Sequence, residues 1–182
     1  KEDFSLEDFI PRDSHWRIAD LGTGSGAVAV AIASERPACE VHATDISPLA
    51  LIVARRNAEA HTPGQVAFHE GSWLEPLEGR FHVIISNPPY VAAADNHLQK
   101  GDIRFEPRTA LTPGENGMSA IEDIARQAAS RFLPGGKLLV EHGCDQGESV
   151  RQLLETLGYR EVRTFEDLEH RERVTGGTRE DA

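Results

Sequence analysis

Apolar residues come in short runs along this chain, and several runs stop at a residue able to do chemistry. Trp16 to Ala19 ends at Asp20, Glu40 to Thr44 at Asp45, Gln65 to His69 just before Gly71, and Phe81 to Ile85 just before Asn87. Short apolar runs bounded by turn residues predict buried strands. Between them the pattern changes to that of helices. Ala27 to Ser34 is a small-residue helix stopped by Pro37; a second helix, capped by Ser47 with Pro48 in its first turn, runs to about His61 and carries Leu49, Ile52, Val53 and Ala54 on one side. Thr62-Pro63-Gly64 breaks it, and residues 74–80 read as a loop. Further on, Ser119 to Phe132 is an amphipathic helix stopped at Pro134-Gly135-Gly136, Lys137 to Glu141 a fifth strand, Gln146 to Leu157 a helix ended by Gly158, and Tyr159 to Phe165 a sixth strand. Around Val174 a seventh strand is expected, kept short by Gly176-Gly177.

Strands alternating with helices predict an α/β fold: a Rossmann-like, mostly parallel seven-stranded sheet with helices on both faces. The 182 residues suit one domain with a single sizeable core. Residues 1–15 are polar with apolar anchors at Phe4, Leu6, Phe9 and Ile10; they read as a remnant of a linker or amino-terminal region, ahead of one domain over residues 16–182. Residues 91 to about 117 hold Pro, Gly and charges with weak periodicity, and a segment that long is usually functional.

Composition narrows the function classes. No apolar run approaches the roughly 20 residues of a membrane span, and no signal-peptide pattern opens the chain, which suits the cytoplasm. Cys39 and Cys144 stand far apart without CxxC spacing, and the eight histidines show no HExxH pair, so neither a disulfide framework nor a metal site is expected. The net charge of −11, with short basic clusters but no basic block, weighs against a nucleic-acid substrate.

Asp20-Leu21-Gly22-Thr23-Gly24-Ser25-Gly26 is a glycine turn between a strand and a helix, the first half of a nucleotide-binding βαβ unit. On its own such a turn is a weak signal. Asp20 sharpens it: a carboxylate there repels a pyrophosphate but accepts hydrogen bonds from an ammonium. S-adenosylmethionine has an ammonium and a ribose and no phosphate. Asp45, about 20 residues past the glycines at the next strand end, suits the ribose hydroxyls. The Gly71-Ser72-Trp73 turn either frames an adenine or is an ordinary turn with a packed Trp; the residues alone leave both open.

Asn87-Pro88-Pro89-Tyr90 follows the fourth strand, at the end of the sheet where open α/β folds bind ligands. Two prolines remove two backbone donors and fix two φ angles. The Asn87 side-chain oxygen and the Pro88 carbonyl can then clamp a planar NH2 group, with the Tyr90 ring on its face.

These residues resemble class I S-adenosylmethionine-dependent methyltransferases and, more closely, the release-factor glutamine methyltransferase family. The resemblance covers residues 16 to about 177. Asp20 to Gly26 matches the cofactor loop and Asn87 to Tyr90 the catalytic motif, both shared with adenine-N6 and other amino-group methyltransferases. Gly101-Asp102-Ile103-Arg104-Phe105-Glu106-Pro107, Thr109-Ala110-Leu111, Gly117-Met118, Glu141-His142-Gly143 and Glu172-Arg173-Val174-Thr175 are similar to the narrower family. The resemblance implies cofactor contacts at Asp20, Gly22, Thr23, Gly24, Gly26, Asp45, Ile46, Ser72, Trp73 and Asn87. It implies catalytic roles for Asn87, Pro88, Pro89 and Tyr90, and substrate contacts at Asn87, Pro88, Tyr90, Arg104, Glu106 and Pro107. S-adenosylhomocysteine would be the product, no metal would be needed, and the partner would be a peptide chain release factor. The alternatives are a glutamine of a ribosomal protein, an amino group of a nucleic-acid base, or a non-catalytic cofactor-binding fragment. Two departures stand out. The family's helical amino-terminal domain is not among these 182 residues, and Ile10-Pro11-Arg12 is followed at once by Asp13-Ser14-His15, where a longer stretch and a helix are expected. Ser72 replaces an acid found in many relatives.

Overall fold

The computed structural model describes residues 6–89 and 118–180. Among them the apolar runs become seven strands: β1 Arg17–Leu21, β2 Glu40–Asp45, β3 Val66–Glu70, β4 Phe81–Ser86, β5 Phe132–Glu141, β6 Arg160–Glu166 and β7 Glu172–Arg179. They form one sheet in the order β3-β2-β1-β4-β5-β7-β6. The first five are parallel, and β7 runs antiparallel between β5 and β6. From β1 the chain moves outward through β2 and β3, then returns to place β4 on the other side of β1. The carboxyl ends of β1 and β4 therefore flank the point where open α/β sheets leave a crevice.

Five helices accompany the sheet: α1 Leu6–Phe9, α2 Ala27–Glu35, α3 Pro48–His61, α4 Ser119–Ala128 and α5 Gly147–Thr156. Alternating strand residues feed two cores. Ile18, Val41, Ala43, Val83 and Leu139 meet Ala29, Ile32 and Ala33 of α2, with Ile10 beneath. On the other face Ala19, Leu21, Ile84, Leu138 and Val140 meet Ile121, Ile124 and Ala125 of α4 and Val150 and Leu154 of α5.

Four expectations need correction. The buried side of α3 is Leu51, Ala54 and Ala58, while Leu49, Ile52 and Val53 are 74%, 63% and 48% exposed. Close approach to α2 decides this: a Cβ on Gly26 would lie 3.0 Å from the Cβ of Ala54, so only small residues fit the contact. Next, α4 stops at Ala128, and Phe132 already belongs to β5, fully buried and paired with Phe81. Pro134-Gly135-Gly136 is no break but an irregularity inside β5, where the register moves from Phe81↔Phe132 to Val83↔Lys137. Finally, β7 is eight residues long rather than short. Its glycines make room for neighbours: a Cβ on Gly176 would come within 2.6 Å of Leu139, and one on Gly177 within 3.0 Å of Tyr159.

Candidate active site

Leu21 pairs with Ser86, and the Ser86 hydroxyl donates to the Leu21 carbonyl at 2.7 Å. That bond ties the end of β4 to the end of β1 one residue before Asn87 and Gly22. The turn between β1 and α2 then needs three left-handed residues, Gly22 (φ 67°), Gly24 (φ 55°) and Gly26 (φ 80°). Two of them also answer to their surroundings. A Cβ on Gly22 would meet the Trp73 ring at 3.1 Å and one on Gly26 would meet α3, whereas the space over Gly24 is open. Thr23 N–H donates to the Thr44 carbonyl at 2.9 Å, fixing the turn to β2.

Asp20 is 2% exposed. Its Oδ2 accepts from Thr23 Oγ1 at 2.5 Å and from the Ala29 amide at 3.1 Å. Burial pushes its carboxyl up to about 6, against the Thr23 and Ala29 hydrogen bonds that favour the ion. The Ala29 bond has a structural use as well. Gly26, the N-cap of α2, has no side chain to offer, so a carboxylate from β1 caps the third helical amide. A carboxylate kept in such a place attracts a cation strongly.

Asp45 ends β2. Its Oδ2 accepts from Gly24 N–H at 2.9 Å and its Oδ1 from Ser47 N–H at 2.8 Å, so it joins the glycine turn to the start of α3. Half-exposed oxygens with lone pairs to spare can take a diol. Ile46, beside it, is 74% exposed and offers an apolar face at the rim. The turn after β3 is pinned here too: Gly71 N–H donates to the Asp45 carbonyl at 3.0 Å, and Thr44 Oγ1 to the Trp73 carbonyl at 2.8 Å. Trp73 takes a positive φ of 45°. Its ring lies on Gly22 and against the α4–α5 core, so the indole is a packed one that shapes the glycine turn. Ser72, half-buried, accepts from Glu75 N–H at 2.9 Å through its carbonyl.

Asn87 is exposed, Pro88 buried and Pro89 half-buried at the carboxyl end of β4. Sequence reasoning therefore picked residues from three strand ends that the fold brings to one edge: Asp20 to Gly26, Asp45 with Ile46, and Asn87 to Pro89. Tyr90, Arg104, Glu106 and Pro107 lie outside the described residues. The histidines, read as scattered, are partly gathered. His42 Nδ1 lies 3.1 Å from His69 Nε2, and His42 Nε2 2.8 Å from Glu40. Among the described residues no group of three or more His, Cys, Asp or Glu is placed to hold a metal ion, and no helix is long and apolar enough to cross a membrane. Sequence reasoning missed any role for His142, Thr164 and Thr175; only the Glu141-His142-Gly143 and Glu172-to-Thr175 matches drew attention to that region.

The strand order, the glycine turn after β1 and the acidic strand ends define a class I methyltransferase fold. The chain belongs to the methyltransferase small domain family, whose model matches residues 5–105. It is 54% identical over 165 residues to a protein of Xylella fastidiosa (strain Temecula1) named release factor glutamine methyltransferase, covering 90% of this chain and 60% of that protein. A protein of Escherichia coli K12 with the same name is 48% identical over 162 residues, covering 88% of this chain and 58% of its own. The chain thus spans about three-fifths of the length of these curated relatives. Among solved structures, a methyltransferase from Pyrococcus furiosus superposes with a TM-score of 0.69 at 21% identity, over 92% of this chain and 76% of that one. A ribosomal protein L11 methylase from Lactobacillus delbrueckii subsp. bulgaricus gives 0.67 at 20%, over 92% and 72%. At those identities the structures speak for the fold.

Proposed function

We propose that this chain is the catalytic domain of an enzyme that transfers a methyl group from S-adenosylmethionine to the side-chain amide nitrogen of a glutamine in a peptide chain release factor. The observation that carries the reading is the Leu21↔Ser86 register, which sets Asn87-Pro88 beside the turn held by Asp20. The names of relatives 48–54% identical over most of this chain support a release-factor glutamine as the acceptor. The action belongs in the cytoplasm, with translation termination.

The donor set fits the cofactor. Asp20 is a desolvated carboxylate in want of a cation, Asp45 offers oxygens for the ribose diol, and Gly24 leaves backbone space beside it. Ile46 and the Ser72 turn would border the adenine. Bound there, S-adenosylmethionine supplies an electrophilic methyl, and S-adenosylhomocysteine is left as the product.

An amide nitrogen is a poor nucleophile because its lone pair is delocalised into the carbonyl. The Asn87 side-chain oxygen and the Pro88 carbonyl would accept its two N–H bonds. Fixed acceptors at that point favour the positive charge that grows on nitrogen and aim its lone pair. Tyr90 would pack on the amide plane, and Arg104, Glu106 and Pro107 would contact the acceptor chain. The proton leaves to water. The test is a labelled-methyl assay offering release factor, a ribosomal protein and nucleic acid side by side. Label on a release-factor glutamine is expected; label on a nucleic-acid amino group instead would refute the reading.

A further inference from the structure

The carboxyl end of β5 carries a polar chain that is buried at His142 and Thr175 and half-buried at Thr164, Arg151 and Glu172. His142 is fully buried. Its Nδ1 lies 2.8 Å from the Gly143 carbonyl and its Nε2 2.8 Å from Thr175 Oγ1. Thr175 Oγ1 lies 2.8 Å from Thr164 Oγ1, which lies 2.7 Å from Arg151 Nη1. The same Arg151 nitrogen donates to Glu172 Oε1 at 2.8 Å. The chain thus links α5, β6, β7 and the end of β5.

Its ends fix the direction of every bond. A guanidinium only donates and a carbonyl only accepts. Arg151 therefore donates to Thr164, Thr164 to Thr175, Thr175 to His142 Nε2, and His142 Nδ1–H to Gly143. Only the neutral Nδ1–H tautomer satisfies the series. A second proton on His142 would have to point at Thr175, turning that hydroxyl toward Thr164 and leaving the Thr164 proton without an acceptor in the chain. Burial, which lowers the His142 pKa, works the same way, as do the Arg151 and Arg173 charges, while the Gly143 hydrogen bond and the Glu172 charge pull against it. The Gly143 carbonyl also accepts from Gln146 N–H at 2.9 Å, and Gln146 Oε1 accepts from Gly143 N–H at 2.8 Å, so the start of α5 is held by the same turn.

This chain ends beside the acceptor site. Val140 pairs with Ser86 on one side and Thr175 on the other, and His142 N–H donates to the Arg173 carbonyl at 2.8 Å. Carried two residues further, the parallel register brings Asn87 level with Glu141 and Pro88 level with His142. Neighbouring strands sit about 4.8 Å apart. The strand end that would clamp the amide therefore lies between the glycine turn on one side and the His142 segment on the other.

We infer that His142, oriented through Thr175 and Thr164 by Arg151, is a positioning residue that holds the acceptor clamp at Asn87-Pro88 in register. The inference rests on the reading of Asn87-Pro88 as that clamp. It assigns a task to the Glu141-His142-Gly143 and Glu172-to-Thr175 segments. Misplacing a reacting group by about 1 Å costs on the order of a hundredfold in rate, so slack in this chain registers in turnover before it registers in cofactor binding.

The test compares Thr175→Val, which keeps the shape and removes the hydroxyl, with Thr175→Ser, which keeps the hydroxyl. With release factor saturating, Thr175→Val is expected to lose about tenfold or more in kcat, with cofactor affinity within about twofold of the parent. Thr175→Ser should restore most of the rate. A purely structural hydroxyl would lower the unfolding temperature and leave the kcat of the folded enzyme unchanged. A second readout does not depend on the acceptor: the Asn87 side-chain NH2 signals in a 1H–15N spectrum with S-adenosylhomocysteine present. They should move in Thr175→Val and stay in Thr175→Ser. If the parent protein methylates no release factor, the glutamine reading fails while these signals still decide the inference. Asn87 signals unmoved by Thr175→Val overturn it.

Discussion

Replacing Asp20 by Asn separates the charge of the site from its shape. The carboxyl is pushed up from 3.8 to about 6 by burial, so the ion is disfavoured in the ligand-free fold by about 3 kcal/mol. The sign follows from proton counts. Between these two values the folded state binds more protons than the unfolded one, so stability falls as pH rises through that window and is level above it. Asn cannot ionise. It can still accept from Thr23 or Ala29, but its NH2 gains no partner evident in the structure, at a cost of about 1 kcal/mol. Ligand-free Asp20→Asn should therefore be about 1–2 kcal/mol more stable than the parent near pH 8 and no more stable near pH 4. The parent-minus-variant difference in urea denaturation isolates this group from carboxylates such as Glu40, whose pKa is lowered. Cofactor binding should behave in the opposite sense. An ammonium pairs with the ionised form, so the parent's affinity for S-adenosylhomocysteine should fall about tenfold from near pH 8 to near pH 5, while the variant is weaker throughout and nearly flat. Calorimetric titration measures both. A parent affinity independent of pH across that range, together with a stability difference that does not change with pH, would refute the assignment of Asp20 as a desolvated cation site.

Asn87→Ala should reduce kcat by at least about a hundredfold while largely sparing S-adenosylhomocysteine binding, because the lost acceptor acts chiefly on the amide and Asn87 is only one of several cofactor contacts; full activity would sink the clamp. Gly26→Val should destabilise by about 2–4 kcal/mol in chemical denaturation, since a side chain at φ 80° would also meet Ala54 Cα at 3.1 Å, and the backbone of α3 cannot step aside. Gly147→Ala tests the far end of the polar chain. Gly147 opens α5, so alanine there gains less than the about 1 kcal/mol of a helix interior; its methyl would collide with the Glu172 carboxylate and is expected to push it away from Arg151, so kcat should fall with little change in thermal unfolding.

What was legible in the sequence was whatever the chain states locally. Asp20, Asp45 and Asn87 each close an apolar run, and a parallel sheet brings all such ends to one edge, so a candidate site could be proposed before the strand order was known. The face of α3 could not. Leu49, Ile52 and Val53 are the larger apolar residues, and nothing in their spacing tells that Gly26, more than 20 residues earlier, admits only Ala54. Phe132 was equally ambiguous, because an apolar residue at that spacing suits the last turn of a helix or the first residue of a strand. The backbone of residues 134–136 reads as a stop signal and serves as a bulge because β4 already pairs on both sides of it. The His142 chain draws on four separate elements, so no window of sequence contains it.

Asp20 shows why the glycine turn is both scaffold and site. Gly26 must be glycine for α2 and α3 to approach, and that choice removes the side chain that would have capped α2. The missing cap is supplied by the carboxylate at the end of β1, which the cap bond and Thr23 hold in a buried, ionisable state. A residue recruited to finish a helix is thereby left as a desolvated anion at the sheet's switch point, raised to about 6 and relieved only by a proton or a cation. The packing of two helices on small residues thus leaves a charge deficit that a cationic ligand would satisfy, and binding it would recover free energy that the ligand-free fold forgoes. An acid before the glycines therefore suits a cationic ligand, where a phosphate group would be repelled.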